Sequence, residues 1–281
     1  MLSYRHAFHA GNHADVLKHV VVLQIAEYLG EKPGPFWIID THAGAGRYAL
    51  ESAHARKLGE YRDGIARLWD RKGLPPAVAD YVELVRMLNP DGRLRHYPGS
   101  PWLARQLLRE SDRLRLYELH SSDVKLLQEC FAGAGRQVMV SAGDGFAGLK
   151  ASLPPPPRRA LVLIDPSYET RDDYVNVVKC LQDSLKRFPT GIYALWYPLL
   201  ARRESHQLPG RLRNLGAPNW LHATLEVKAP ARDGIGLHGS GLFIINPPWT
   251  LEKTLHETLP ALTAILAQGE GARYALESQS A

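Results

Sequence analysis

Cysteine is scarce in this sequence: Cys130 and Cys180 are the only two, and they lie far apart along the 281 residues. They cannot form the closely spaced sets that disulfide frameworks and cysteine-based zinc sites require. Long apolar runs are also missing. A run such as residues 20–23 falls far short of the roughly 20 residues that span a bilayer. With no signal peptide recognised, we expect a cytoplasmic protein that does not enter a membrane.

The overall charge points to a class of partner. The net charge of +5 and the isoelectric point of about 9.2 favour a polyanion, although only weakly. The sequence is 45% hydrophobic, enough for one large α/β domain or for a domain with an insertion. No internal repeat is visible.

Residues 161–168 are the most informative stretch. Four apolar residues end in Asp165, which predicts a buried strand of a parallel sheet. Pro166 ends the strand because proline has no N–H for the ladder. Asp165 and Tyr168 are therefore expected just beyond the carboxyl end of a strand, where open α/β sheets bind ligands. An ordinary turn also explains these residues, since Asp-Pro-Ser is common turn chemistry.

The segment Asp165-Pro-Ser-Tyr168 resembles the Asp/Asn-Pro-Pro-aromatic motif of methyltransferases that act on exocyclic amino groups of bases. Ser167 stands in place of the second proline. Adenine N6 is a poor nucleophile because its lone pair is delocalised into the ring. Acceptors on its two N–H groups, here the Asp165 carboxylate and the Pro166 carbonyl, localise that lone pair toward a methyl donor. The Tyr168 ring is expected to stack on a base that has left its helix.

A glycine-rich loop follows the first predicted strand. Residues 36–40 predict that strand, residues 41–46 the loop, and residues 47–50 the start of a helix. Glycines let a ligand approach the backbone closely, and a helix start carries unpaired N–H groups. This order of elements indicates a cofactor platform.

Two cofactors suit this loop. Asp40, Gly44 and Gly46 match the Asp-x-x-x-Gly-x-Gly loop of S-adenosylmethionine (SAM) methyltransferases. Residues 44–49 also match the looser dinucleotide fingerprint Gly-x-Gly-x-x-Ala. That fingerprint requires a second strand ending in an acid about 20 residues later, and the sequence there is polar and helical instead. A nicotinamide-dependent oxidoreductase and a turn without a ligand remain alternatives.

Acidic residues follow successive predicted strands. Asp40 ends the first, Glu118 ends the second, and Asp144 and Asp165 follow the third and fourth. An acid in the position of Glu118 binds ribose hydroxyls in nucleoside-binding α/β folds. Asp144 is expected either to accept from the adenine amino group of SAM or to cap the next helix. The ordered set favours a SAM-dependent methyltransferase over the alternatives.

The remaining segments complete a doubly wound α/β sheet. We predict a Rossmann-like methyltransferase fold with seven strands, in which residues 220–227 and 241–246 form a terminal β-hairpin. Residues 1–50 and 94–281 form the methyltransferase domain, and residues 51–93 form a small helical insertion. A basic helix with a solvated face is predicted over residues 199–215.

Two further patterns receive less weight. Asn246-Pro-Pro-Trp249 fits the amino-methyltransferase motif better than Asp165-Pro-Ser-Tyr168 does, but it ends the last strand, away from the glycine loop, so we favour Asp165. The amino-terminal segment contains four histidines, but no cysteine joins them and no His-Glu-x-x-His pattern is present. We therefore expect no metal.

Several long segments resemble the RlmJ family of bacterial 23S ribosomal RNA adenine-N6 methyltransferases. The similarity runs from Met1 to about Leu259. It is carried by the segments Phe8-His-Ala-Gly-Asn-His-Ala-Asp-Val-Leu-Lys-His19, Asp40-Thr-His-Ala-Gly-Ala-Gly-Arg-Tyr48, Tyr97-Pro-Gly-Ser-Pro101 and Ala194-Leu-Trp-Tyr-Pro198.

The resemblance implies methyl transfer from SAM to adenine N6 in 23S ribosomal RNA that is free of most ribosomal proteins. It places the catalytic acceptor at Asp165. It implies SAM contacts at His19, His42, Ser100, Glu118, Asp144 and Gly145. It also places three residues near the target base: Tyr4, His6 and Lys18.

Two other functions stay open at this stage. A DNA adenine-N6 methyltransferase needs the same chemistry, since both enzymes act on a flipped adenine. A ribosomal-RNA-binding assembly factor that has lost catalysis is the second, although the intact Asp165 and glycine loop argue against it. No obligate protein partner is implied.

Overall fold

The computed structural model describes residues 5–231, 234 and 236–280. Tyr4, an expected substrate contact, lies outside the described residues. The strands are β1 (Trp37–Asp40), β2 (Arg47–Ala49), β3 (His96–Pro98), β4 (Arg113–Glu118), β5 (Val138–Ala142), β6 (Ala160–Ile164), β7 (Ile192–Leu199), β8 (Trp220–Glu226), β9 (Gly239–Ile245) and β10 (Arg273–Gln279). The helices are α1 (His13–Glu31), α2 (Ala53–Leu58), α3 (Ala66–Trp69), α4 (Pro76–Met87), α5 (Ser100–Gln106), α6 (Ser121–Cys130), α7 (Gly145–Ser152), α8 (Arg171–Arg187), α9 (Arg203–Arg213) and α10 (Leu251–Leu266).

One large sheet organises the molecule. Within the described residues it contains eight strands in the order β10-β8-β9-β7-β6-β1-β4-β5. The strands from β7 to β5 in this order run parallel, while β9, β8 and β10 add antiparallel pairs. The doubly wound sheet and its terminal hairpin, β8–β9, are therefore confirmed. The edge strand β10 is an eighth strand beyond the predicted seven.

The helix α1 crosses the sheet and is buried on almost every side. Asn12 caps it, accepting hydrogen bonds from the backbone N–H groups of Ala14 and Asp15 at 3.0 Å. Its apolar residues pack against the sheet and against α4, α5 and α10. None of the helices in the described part of the chain is both long and apolar enough to cross a membrane.

The segment predicted as an insertion is helical and shares the main core. Helices α2, α3 and α4 lie between the paired strands β2 and β3. Ile65, Val78 and Val85 from this segment belong to the same apolar cluster as α1 and the sheet. Its status as a separate subdomain stays a prediction.

Two predicted elements are wrong in type or extent. Residues 47–50 do not begin a helix, because residues 47–49 form β2 and pair with β3. The predicted basic helix over residues 199–215 is shorter: β7 runs to Leu199, and α9 covers only Arg203–Arg213.

Candidate active site

The sheet register brings the predicted acids to one edge. Asp40, the last residue of β1, pairs with Leu163 of β6 and with Leu116 of β4. Asp165 and Glu118 lie two residues beyond these partners, so Glu118 ends β4 and Asp165 directly follows β6, at the same edge of the sheet. This edge opens into a cavity of about 640 Å³, where doubly wound sheets bind their ligands.

Most of the predicted site residues line this cavity. They are His6, Lys18, His19, His42, Gly44, Ser100, Glu118, Asp144, Gly145, Asp165 and Pro166. Three predicted residues lie within the described chain but not in its lining: Asp40, Gly46 and Tyr168.

A chain of ion pairs holds Asp165 at the floor of the cavity. Lys18 Nζ lies 2.6 Å from Asp165 Oδ2 and 2.8 Å from Asp15 Oδ1. Asp15 Oδ2 accepts from the Gly11 backbone N–H at 2.9 Å and lies 2.9 Å from His6 Nε2. Both Asp15 and Lys18 are almost completely buried. The network therefore fixes Lys18 beside Asp165 and ties the His6 ring to the same helix.

Burial and charge compete in this network. Burial raises the pKa of Asp165, and Lys18 only partly offsets this rise. Burial also acts to raise the pKa of Asp15, but His6 and Lys18 outweigh it and hold that pKa well below its usual range. For Lys18, burial acts to lower the pKa, but the two carboxylates raise it overall. Lys18 is therefore a permanent cation that opposes protonation of Asp165.

Asp40 supports the cavity from behind. Ser100 Oγ donates to Asp40 Oδ2 at 2.6 Å, and the His42 backbone N–H donates to Oδ1 at 3.1 Å. Burial raises the pKa of Asp40 to about 6. The Ser100 side chain thus anchors α5 to β1 instead of capping α5, whose N-cap is Gly99. Asp40 acts on the cavity through Ser100 and His42.

The glycine loop and Glu118 form one side of the cavity. Glu118 accepts backbone hydrogen bonds from Gly44 and His120, each at 2.7 Å, and burial raises its pKa. Gly44 has φ +60°, which favours glycine. At Gly145, a Cβ atom would lie 1.8 Å from the Thr41 carbonyl oxygen. Gly145 therefore allows the two loops to meet.

Asp144 caps α7, one of the two roles predicted for it. Its Oδ1 accepts from the Phe146 backbone N–H at 3.0 Å. Nearby, burial lowers the pKa of His42 to about 4, and the His42 ring packs edge-on against Phe146. His42 is therefore neutral at physiological pH.

The dinucleotide interpretation of the glycine loop does not fit the structure. A dinucleotide platform needs a helix whose N-terminus faces the pyrophosphate. Residues 47–49 instead form strand β2. Without that helix the loop lacks the feature that a nicotinamide cofactor requires.

Tyr168 does not occupy the position predicted for a stacking residue. Its side chain is 1% exposed, and its hydroxyl donates to the Trp196 carbonyl oxygen at 2.8 Å. The ring packs on Tyr174 and Trp196 below the cavity. Tyr168 also has a φ of +54°, which is uncommon for a residue other than glycine. In this structure Tyr168 is a core residue that anchors the segment after β6 to β7.

Asn246-Pro-Pro-Trp249 lies at the opposite edge of the sheet from Asp165. Strand β9 runs antiparallel to β7, and Ile245 pairs with Tyr193 near the start of β7. The Asn246 amide donates to the Pro189 and Gly191 carbonyl oxygens, both at 2.8 Å. The Asn246 side chain therefore ties loops together, far from the glycine loop.

Two site residues were missed from the sequence. Asp15 was not singled out as a site residue, although it joins Lys18 to His6. Trp196 lines the cavity, and Lys18 Nζ lies 5.9 Å from its ring centroid. The available signal for Asp15 was its spacing of one helical turn from Lys18. Trp196 lies in the segment Ala194-Leu-Trp-Tyr-Pro198 that resembles the RlmJ family, but its spacing did not indicate a place in the cavity.

No group of three or more His, Cys, Asp or Glu side chains is arranged to hold a metal ion within the part of the chain that the structure describes. The amino-terminal histidines have other contacts: His9 Nδ1 lies 3.0 Å from Glu60, and His13 is buried in α1.

Comparison with known protein families shows to which family this chain belongs. Residues 33–276 match the family described as "Ribosomal RNA large subunit methyltransferase D, RlmJ". The chain belongs to the RlmJ family.

Relatives extend the match over nearly the whole chain. The Escherichia coli protein named Ribosomal RNA large subunit methyltransferase J is 51% identical over 262 residues, or 93% of each chain. Its Haemophilus influenzae counterpart is 48% identical over 273 residues, or 96% of each chain. A crystal structure of a Legionella pneumophila protein superposes with a TM-score of 0.89 at 34% identity, covering 97% of this chain and 99% of that one.

Proposed function

We propose that this RlmJ-family chain is a SAM-dependent methyltransferase that modifies adenine N6 in 23S ribosomal RNA. The family and the relatives named for large-subunit ribosomal RNA support the reaction and the substrate class. The observation that carries the choice of atom is the position of Asp165 and Pro166 beyond β6. They lie in one cavity with the glycine loop and Glu118.

The residues of the cavity fit SAM as the methyl donor. His19 lines the cavity, and its buried Nε2 has no hydrogen-bond partner among the described residues. A buried polar atom in this situation requires a ligand or water. Glu118 stands at the end of β4, where ribose hydroxyls bind in related folds. When bound, SAM supplies a methyl group on a positively charged sulfur.

The chain's own residues prepare the adenine amino group. Lys18 bonds Asp165 through Oδ2, which leaves Oδ1 and a second lone pair of Oδ2 as acceptors. Asp165 accepts from one amino N–H and the Pro166 carbonyl from the other, which directs the nitrogen lone pair at the methyl donor. The positive charge of Lys18 favours the ionised form of Asp165 and partly offsets the rise in pKa that burial causes. Alignment of the amino group is sufficient for transfer, and one amino proton leaves the methylated nitrogen afterwards, with the Asp165 carboxylate as the acceptor in contact with it.

The partner is proposed to be 23S ribosomal RNA free of most ribosomal proteins, as the resemblance to the RlmJ family implies. The target adenine must leave its helix to reach Asp165. The reaction is proposed to take place in the cytoplasm, with no obligate protein partner.

The test is transfer of labelled methyl from SAM to protein-free 23S ribosomal RNA, followed by digestion to nucleosides. We expect N6-methyladenosine. Duplex DNA of the same sequence serves as the matched substrate and is expected to give no N6-methylated product. Equal methylation of the duplex would favour a DNA methyltransferase. Binding of SAM without any transfer would favour an assembly factor.

A further inference from the structure

Three buried side chains form a hydrogen-bonded chain that ends at the cavity. Tyr81 of α4 lies 2.8 Å from Tyr97 of β3 between the hydroxyl oxygens, and the Tyr97 hydroxyl lies 2.8 Å from His19 Nδ1. The tyrosines are 0% exposed and His19 is 1% exposed. The other ring nitrogen of His19, Nε2, has no partner among the described residues.

The number of hydroxyl protons determines the direction in which the hydrogen bonds of these three side chains are donated. Tyr81 bonds only Tyr97 within the described residues, so its hydroxyl has no other acceptor. If Tyr81 donates to Tyr97, then Tyr97 donates to His19 Nδ1 and both hydroxyl protons are used. In the reverse direction, the Tyr81 O–H is buried without an acceptor, which is costly. The first arrangement is therefore favoured.

The protonation state of His19 completes the assignment. Burial lowers the pKa of His19 to about 3, so the ring is neutral and carries one N–H at physiological pH. Because Nδ1 accepts from Tyr97, that proton is on Nε2. The His19 ring also stacks on Tyr97, with ring centroids 5.6 Å apart and an interplanar angle of 26°. The hydrogen bond and the stacking together fix the tautomer and the ring plane.

We infer that Tyr97 is a positioning residue that holds His19 as the Nε2–H tautomer, so that His19 donates to an acceptor atom of bound SAM. The inference rests on the proposed function for the identity of the ligand. Tyr81 donates to the Tyr97 hydroxyl and is not hydrogen-bonded to His19.

The tautomer is measurable on the protein alone. Histidine is labelled with ¹⁵N, and long-range proton–nitrogen spectra are recorded without SAM or RNA. The variant His19→Gln identifies the His19 signals by their loss. We expect a protonated Nε2 and an unprotonated Nδ1 at neutral pH. A proton on Nδ1, or a mixture of the two tautomers in the wild type, overturns the inference.

Two matched variants test the role of the tyrosines. Tyr97→Phe removes the donor to Nδ1, so we expect a mixture of tautomers and a SAM dissociation constant raised roughly twofold to tenfold. Tyr81→Phe removes an equally buried hydroxyl but leaves Tyr97 free to donate, so the Nε2–H form is retained and the dissociation constant changes less than about twofold. Amide spectra confirm that both variants are folded.

The outcomes separate this inference from the proposed function. If Tyr97→Phe leaves His19 entirely as the Nε2–H tautomer with unchanged SAM affinity, the positioning role is wrong. If the wild-type tautomer is as expected but SAM does not bind, the proposed ligand is wrong while the hydrogen-bonded chain stands.

Discussion

Replacing Lys18 with methionine tests the electrostatics of the site. Methionine keeps the apolar stem and removes the cation that lies 2.6 Å from Asp165 and 2.8 Å from Asp15. Breaking a buried ion pair from one side costs roughly 3–5 kcal/mol. Asp165 is 13% exposed and can avoid an unpaired buried charge by taking up a proton. Asp15 retains its contact with His6. We therefore expect a loss of about 3 kcal/mol, or roughly 6–12 °C in Tm for a domain of this size.

The pH dependence identifies the cause of this loss. Burial already raises the pKa of Asp165, and removal of Lys18 raises it further. A carboxyl group with a higher pKa in the folded than in the unfolded state binds more protons when folded, so stability falls as pH rises. The Tm deficit of Lys18→Met is therefore expected to be smaller at about pH 5 than at about pH 8.

Activity should follow the same titration. Protonated Asp165 is a poorer acceptor, so kcat/KM of Lys18→Met is expected to fall about tenfold per pH unit below the new pKa. The wild type should change less over the same range. Lys72→Met is a suitable control because Lys72 is exposed and has the same charge. A Tm deficit independent of pH, together with a wild-type pH profile, would refute the reasoning.

Three further substitutions and one control, Gly30→Ala, give distinct expectations. Gly145→Ala places a Cβ 1.8 Å from the Thr41 carbonyl oxygen and should lower both Tm and SAM affinity, measured by calorimetry. Gly30→Ala is the control, because Gly30 has open space around it, and it should stabilise the protein by about 0.5–1 kcal/mol. Asn246→Ala removes two hydrogen bonds and should cost about 1–3 kcal/mol in urea unfolding without raising the KM for RNA. Tyr168→Phe should cost about 1 kcal/mol in the same assay and preserve methyl transfer, so a large loss of kcat would show that its hydroxyl has a direct role in the reaction.

The strands of the parallel sheet were predictable because they are short apolar runs with a clear end or, in β4, an alternation of leucine with arginine. Asp40, Glu118 and Asp165 end or follow such runs, and the common edge of a parallel sheet brings them together whatever the details of the helices. The convergence of Glu118 and Asp165 on one cavity, with Asp40 behind it, therefore follows from the order of the strands.

Each failure of prediction has an identifiable physical cause. Residues 47–49 have no strong propensity, and their pairing with β3 depends on a partner about 50 positions away. At Tyr168, the unusual φ of +54° decides which way the ring points, and no neighbouring residue in the sequence specifies that angle. The edge strand β10 is mostly exposed, so it lacks the apolar alternation that reveals a half-buried strand.

The ion-pair network was predictable from the sequence only in part. The contact between Asp15 and Lys18 follows from their spacing of one helical turn. The contact between Lys18 and Asp165 joins residues that are 147 positions apart in the sequence. It depends on how α1 crosses the sheet, which the sequence pattern does not define.

The most direct test of the account is methyl transfer from labelled SAM to protein-free 23S ribosomal RNA by two alanine variants, Asp165→Ala and Asn246→Ala, with N6-methyladenosine as the product scored. The two residues begin similar motifs at opposite edges of the sheet. The account predicts that kcat/KM falls roughly 10²- to 10⁴-fold for Asp165→Ala and changes little for Asn246→Ala. Retention of N6-methyladenosine by Asp165→Ala, with its loss in Asn246→Ala, would contradict the central claim.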